Sequence, residues 1–183
     1  MKEKAKAFAE KAHQGQYRKI TKTPYITHPI RVGEILEEAG CSDELISAGY
    51  LHDVVEDTQY EIENIEELFG TKIAEFVASH TEDKSKTWKE RKQHTINILR
   101  DADKEVKYLI VADRLDNIME FEKDLHELGP KVWGYFNAGY EDQKWYNESM
   151  IKNMSVGLNR DDIPSFFTTF EQTVLRVFRK ENQ

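Results

Sequence analysis

The chain has 183 residues, a formal net charge of −8 and 39% hydrophobic residues, so it is long and apolar enough to bury one sizeable core. The acidic balance argues against a sequence-independent grip on DNA or RNA, which relies on Lys and Arg neutralising phosphates, and no apolar run approaches the roughly 20 residues of a membrane span. Cys41 is the only cysteine, so no disulfide framework forms, and the opening MKEKAKAFAE lacks the apolar core of a signal peptide; a cytoplasmic location is expected.

Apolar residues recur at helical spacing along almost the whole chain, while alternating strand patterns are scarce. Ala5, Phe8, Ala9 and Ala12 trace the first helical face. Gly15 and Pro24 bracket a loop, and Pro29 sits at a helix start. Gly40 precedes Ser42-Asp43-Glu44, a good N-terminal cap for a helix over Asp43 to Asp57. Ile62, Ile65, Leu68 and Phe69 mark the next helix; Gly70-Thr71 reads as a stop and a new start before Ile73, Phe76 and Val77. Further helices are expected over Trp88 to Arg100, Lys104 to Glu122, Glu141 to Leu158 and Pro164 to Lys180. No internal repeat, low-complexity linker or composition break divides the chain. The expectation is one compact all-α domain of roughly eight to ten helices over 1–183.

The stretch LHDVVED, Leu51 to Asp57, concentrates charge within that plan. On a helix, the 100° step places His52, Asp53, Glu56 and Asp57 within an arc of about 140°, with Ala48, Leu51, Val54 and Val55 on the other side. A solvated surface would account for such a face, but Asp53 and Asp57 are like charges at i,i+4 with no cation at helical spacing to relieve them. A divalent cation would relieve them, and His52 beside Asp53 offers donor types that such a cation accepts. In KYLIVADRLDNI, Asp113 follows five apolar residues and should be deep in the core. A buried carboxylate must be paired, hydrogen-bonded or bound to metal, so either an arginine such as Arg114 or Arg91 or a cation could answer it. Asp116 and Asn117 lie near the same face. In PYITHP, His28 stands between an extended segment and the helix that Pro29 begins, placed either to aim its ring inward or to remain structural.

Together, His28, the His52-Asp53 doublet and Asp113 form an H...HD...D pattern, and AHQGQYRK, PYITHP, LHDVVEDT, LFG, ERK and ADRLDN accompany it in that order. This resembles the hydrolase domain of the RelA/SpoT family, within the HD superfamily of metal-dependent phosphohydrolases. At this length the chain looks like a stand-alone small alarmone hydrolase of the stringent response, with no synthetase domain expected after it. The resemblance covers Ala5 to Ile118 well, and residues 119–183, with WGYFNAGYEDQKWY, look like the C-terminal helices of compact members. It implies removal of the 3′-pyrophosphate from guanosine tetraphosphate or pentaphosphate, usually with Mn2+, with Fe2+ or Zn2+ as alternatives. A small nucleotide is the partner implied; nucleic acid and membrane are not. By motif position His28, His52, Asp53 and Asp113 would be the metal ligands, while Glu56 and Asp57 would orient and deprotonate the attacking water. Arg18 matches a residue packing against guanine, Lys19 lies beside it, and Asn117 matches a residue near the nucleotide. Lys144 is a further expected phosphate contact, and Lys22 and Arg31 could join Arg18 and Lys19 in offsetting substrate charge.

The chain also departs from the family pattern. K-L-A-D before the last ligand is here Ile110-Val111-Ala112-Asp113, and L-H-N-L-R after it is Leu115-Asp116-Asn117-Ile118-Met119. Trp88 stands where a phosphate-binding lysine can occur in compact relatives. These changes imply a pocket with less positive charge, so an HD phosphohydrolase for another nucleotide or phosphorylated cofactor is an alternative, and a catalytically silent binding module is a third. Trp133, Tyr135, Phe136, Tyr140, Trp145 and Tyr146 read as core packing from which one ring could stack on a base. His13, His80, His94 and His126 have no clear partners in the sequence.

Overall fold

The helical spacing becomes ten α-helices in the computed structural model, which describes residues 1–180. They are α1 Lys2–Ala12, α2 Thr27–Glu38, α3 Asp43–Leu51, α4 Val54–Asp57, α5 Ile62–Phe69, α6 Thr71–His80, α7 Trp88–Asp101, α8 Lys104–Leu128, α9 Tyr140–Met154 and α10 Ser165–Val177, with short 3₁₀ segments at Gly129–Tyr135 and Arg160–Asp162. Among the described residues no β-strand forms, and Tyr17 and Pro24 make one isolated bridge across the α1–α2 loop. No described helix is long and apolar enough to cross a membrane.

Local chemistry fixes many of the boundaries. Ser42 Oγ accepts from the backbone N–H of Leu45 at the start of α3, as its cap position implied. Thr87 and Glu90 close a reciprocal capping box on α7. Gly70, at φ 92°, supplies the left-handed turn that separates α5 from α6. Three helices differ from their expected bounds: α8 continues past Glu122 to Leu128, α9 stops at Met154 instead of Leu158, and α10 begins only at Ser165 and ends at Val177.

A fourth difference matters for function. The helix expected over Asp43 to Asp57 is broken at His52-Asp53, which separate α3 from the single turn of α4. His52 Nδ1 donates to the carbonyl of Gly49 at 2.8 Å, the oxygen that the Asp53 N–H would take in an uninterrupted helix. The break puts both residues at a bend instead of on a regular face.

α8 is the axis of the core. Its Leu109, Ile110, Val111, Ala112, Leu115 and Ile118 are buried, and it packs against α2, α3, α6, α7, α9 and α10. Lys107 is also buried on α8, but its Nζ donates to the Leu99 and Arg100 carbonyls and so caps the end of α7. Between α2 and α3, Gly33 and Gly49 let the backbones approach closely. A Cβ on Gly33 would lie 2.3 Å from Tyr50 Cε1, and one on Gly49 would lie 3.2 Å from Gly33 Cα. That close packing carries the first turn of α2, with His28, to the end of α3, with His52.

Candidate metal centre and adjoining pocket

α2, the α3–α4 bend and α8 bring His28, His52, Asp53 and Asp113 together. His28 Nδ1 donates to Asp116 Oδ2 at 2.6 Å, and His52 Nδ1 donates to Gly49. These bonds fix the outer nitrogen of each ring and aim both Nε2 atoms at the carboxylates. His28 Nε2 lies 3.0 Å from Asp113 Oδ1 and 3.5 Å from Asp53 Oδ2; His52 Nε2 lies 3.1 Å from Asp53 Oδ2 and 3.6 Å from Asp113 Oδ1. His52 Nε2 is fully buried and, despite those distances, has no aligned hydrogen bond. In the neutral ring, with the proton on Nδ1, that nitrogen's lone pair therefore has no hydrogen-bond partner among the described residues.

The electrostatics point the same way. Burial favours the neutral form of Asp113, but His28, His52 and His80 outweigh it and hold the carboxyl well below the usual range. Burial likewise opposes ionisation of Asp53, and His52 and His28 overcome it, leaving that carboxyl depressed as well. Burial would also lower His52, yet Asp53 and Asp113 raise it well above its ordinary value. Such a cluster stabilises positive charge at its centre. A divalent cation fits the donor set of imidazole nitrogens and carboxylate oxygens, and the unsatisfied His52 nitrogen is the observation that favours it.

Beside this cluster, α4 presents the acid pair. Glu56 Oε2 accepts from the backbone N–H of Glu82 at 3.2 Å, while burial and the charges of Asp53, Glu82 and Asp57 raise its pKa. Asp57 is held from two sides: Lys84 Nζ donates to Oδ1 at 2.8 Å, and the Tyr25 hydroxyl reaches Oδ2 at 3.4 Å. The same hydroxyl donates to Asp53 Oδ2 at 2.6 Å, so Tyr25 ties the acid pair to the central cluster.

Two cavities meet here. One, of about 150 Å³, is lined by His28, Asp53, Glu56, Asp57, His80 and Asp113 among others. The other, of about 360 Å³, is lined by Arg18, Lys19, Trp88, Trp133, Phe136 and Asn147 among others. Tyr25, Lys92, Arg114, Asn117 and Tyr146 line both and form the passage between them.

Most of the expected site residues fall on this pair of cavities. Arg18 sits over the Tyr25 ring at 5.7 Å, pairs with Glu120 and donates to Asn117 Oδ1 at 3.2 Å. Lys19 lies 5.9 Å from the Phe136 ring centre. Asn117 donates from Nδ2 to Asp113 Oδ1 at 2.7 Å, so it braces that carboxylate besides lining the passage. Lys144 and Lys22 are not among the lining residues of either cavity. Arg31 turns away from the cavities: its Nε donates to Asp116 Oδ1 at 2.5 Å and an Nη to Glu120 at 3.3 Å. Its role is to hold the carboxylate that orients His28.

Two of the departures from the family pattern lie away from the pocket. Ile110 is core, 1% exposed, and Met119 faces outward at 41%, so neither departure touches the cavities. Asp116 stands behind His28 rather than in the pocket. Trp88 does line the larger cavity, but Lys92 and Arg114 supply cations at the passage. The sequence reading missed both of these cations, together with Tyr25 and His80. Arg114 stands beside Asp113 in ADRLDN, where it is one of the possible partners of that acid; its guanidinium lies 5.2 Å from the Tyr146 ring centre. Of the aromatic residues, Trp133, Phe136 and Tyr146 line the larger cavity, while Tyr140 donates to the Phe178 carbonyl.

Comparison with known proteins agrees with the arrangement. An HD domain family model matches residues 5–137. The guanosine-3′,5′-bis(diphosphate) 3′-pyrophosphohydrolase MESH1 of Danio rerio is 36% identical over 129 residues, 69% of this chain and 69% of the relative. The Homo sapiens protein of the same name is 36% identical over 69% of this chain and 70% of its own length. Among solved structures, lmo0812 of Listeria monocytogenes EGD-e superposes with a TM-score of 0.81 at 46% identity, covering 84% of this chain and 99% of the other. A metazoan ortholog of SpoT that hydrolyzes ppGpp superposes with a TM-score of 0.78 at 26% identity, covering 97% and 96%. Histidines and aspartates converging from a helix start, a helix break and a central helix, within a match that spans most of the chain, show that it belongs to the HD-domain family.

Proposed function

We propose that the protein is a metal-dependent hydrolase that removes the 3′-pyrophosphate of guanosine 3′,5′-bis(diphosphate) and of the corresponding pentaphosphate, releasing GDP or GTP and pyrophosphate. The observation that carries this reading is the junction of the two cavities. A cluster suited to a cation, flanked by two further carboxylates, opens through Lys92 and Arg114 into an aromatic chamber large enough for a nucleoside. The names of the relatives supply the substrate.

In this reading His28, His52, Asp53 and Asp113 hold the cation, with Mn2+ as the expected metal and Fe2+ or Zn2+ as alternatives. When bound, the cation activates the nucleophile at neutral pH and offsets phosphoryl charge. Glu56 takes the proton of the attacking water, for which a carboxylate with a raised pKa is suited. Asp57, fixed by Lys84 and Tyr25, orients that water. Lys92 and Arg114 meet the pyrophosphate at the passage, and Arg18, Lys19, Trp133 and Phe136 receive the guanosine. Water attacks phosphorus, the bond to the 3′-oxygen breaks, and that oxygen leaves with a proton as the 3′-hydroxyl.

Anion-exchange separation of the products tests this. The reading predicts GDP and pyrophosphate in equal amounts from guanosine 3′,5′-bis(diphosphate). Release of orthophosphate alone, or turnover confined to nucleoside monophosphates, would contradict the substrate assignment.

A further inference from the structure

His80 ends α6 and lies outside the H...HD...D pattern, yet it stands inside the cluster. Phe76 and Val77, four and three residues earlier, are buried, so the same helical face turns His80 inward. Its Nε2 lies 3.3 Å from Asp113 Oδ2, and its ring centre is 5.0 Å from that of His52, nearly perpendicular at 79°. His52, Asp53 and His80 offer ligand atoms that all lie within 4.8 Å of one another, as do His28, His52 and Asp113. The two triads share His52, and Asp113 joins them by facing His28 with Oδ1 and His80 with Oδ2.

The geometry points to His80 as a fifth protein ligand of the cation. This rests on the cation-binding reading of the cluster given above. A lone imidazole on a helix end is more often a neighbour of an acid than a ligand, and the 3.3 Å contact with Asp113 would by itself suit that simpler role. Two observations favour ligation. His80 has a ligand atom within 4.8 Å of those of His52 and Asp53 as well as touching Asp113, so it converges on the centre rather than on one acid. It also lines the smaller cavity beside Glu56, where a donor reaches the reacting space directly.

The consequence is chemical. Three imidazoles and two carboxylates make a more nitrogen-rich set than two and two, and nitrogen donors favour Co2+ and Zn2+ over Mn2+ more strongly than oxygen donors do. His80 therefore bears on metal preference as well as on affinity.

X-ray absorption at the metal edge of Zn2+-loaded and Co2+-loaded protein, with chelator competition for affinity, tests this on wild type and His80→Gln. The expected result is three imidazoles in the wild type and two in the variant, with at least tenfold weaker Zn2+ binding and a smaller preference for Zn2+ over Mn2+ in the variant. Two imidazoles in the wild type would overturn the inference even if the variant bound metal weakly or failed to fold, because His80 would then only position Asp113. A wild-type protein that binds no divalent cation would overturn this inference and the cation-binding reading together, whereas bound metal with two imidazoles would leave that reading intact.

Discussion

Asp116 decides which nitrogen His28 can present. Its carboxylate accepts from His28 Nδ1 while Arg31 holds it from the far side, and His28, Arg31 and their hydrogen bonds keep its pKa low against the effect of burial. Asp116→Asn should weaken divalent-metal binding by roughly 10- to 100-fold while leaving the helix content unchanged, read by chelator competition and circular dichroism. Glu56 sets an opposite balance. Its folded pKa lies above the ordinary 4.5, so the folded state holds the proton more tightly than the unfolded chain does. The stability tied to that proton is present below the unfolded value and is lost as pH rises through the folded pKa, so ionised Glu56 costs stability at neutral pH. Glu56→Gln should therefore raise the thermal midpoint at pH 7, keep metal binding and cut turnover by roughly 10²- to 10⁴-fold. A variant that lost stability and kept its rate would remove Glu56 from the base role.

The elements act by bringing distant residues into register. α2 can place His28 against His52 only because Gly33 and Gly49 leave room between α2 and α3. Gly33→Ala forces a methyl group to 2.3 Å from the Tyr50 ring, and should cost about 1–3 kcal/mol in denaturant unfolding and weaken metal binding as the two histidines separate. Unchanged stability and metal affinity in that variant would mean that the helices adjust without disturbing the cluster. At this scale the sequence was informative wherever the signal was local. Period, caps and glycines locate the helices, and the resemblance to the H...HD...D pattern points to His28, His52, Asp53 and Asp113. It was silent where a bond crosses between elements or competes with the helix ladder. The break at His52-Asp53 depends on a side chain taking the Gly49 carbonyl, which residue propensity does not encode. Tyr25 lies in PYITHP without a role of its own there and His80 in no motif; they join the site only when the α1–α2 loop meets Asp53 and α6 packs against α8. Ile110 and Met119 misled for the converse reason: they flank motif residues in sequence, but helical rotation sends them to the core and to solvent.

Across the whole molecule, the proposed ligands His28, His52, Asp53 and Asp113 come from α2, the α3–α4 bend and α8, so cation binding should couple to the global fold instead of to one loop. A cation present at 100 times its dissociation constant should stabilise the protein by about 2.7 kcal/mol, and chelation should remove that gain in a thermal scan. Because the histidines must bind the metal in neutral form, uptake should release protons and apparent affinity should fall as pH is lowered, which calorimetry in buffers of different ionisation heat would read. The same coupling ties the chamber to the chemistry, since Asn117 braces Asp113 and lines the passage to the larger cavity. The most direct test of the account is pyrophosphate release from guanosine 3′,5′-bis(diphosphate) by Mn2+-loaded wild type and by Asp53→Ala. Steady release by the wild type that disappears in the variant is the predicted result. Release that persists in Asp53→Ala, or a wild type that holds one cation per chain and releases none, would contradict it.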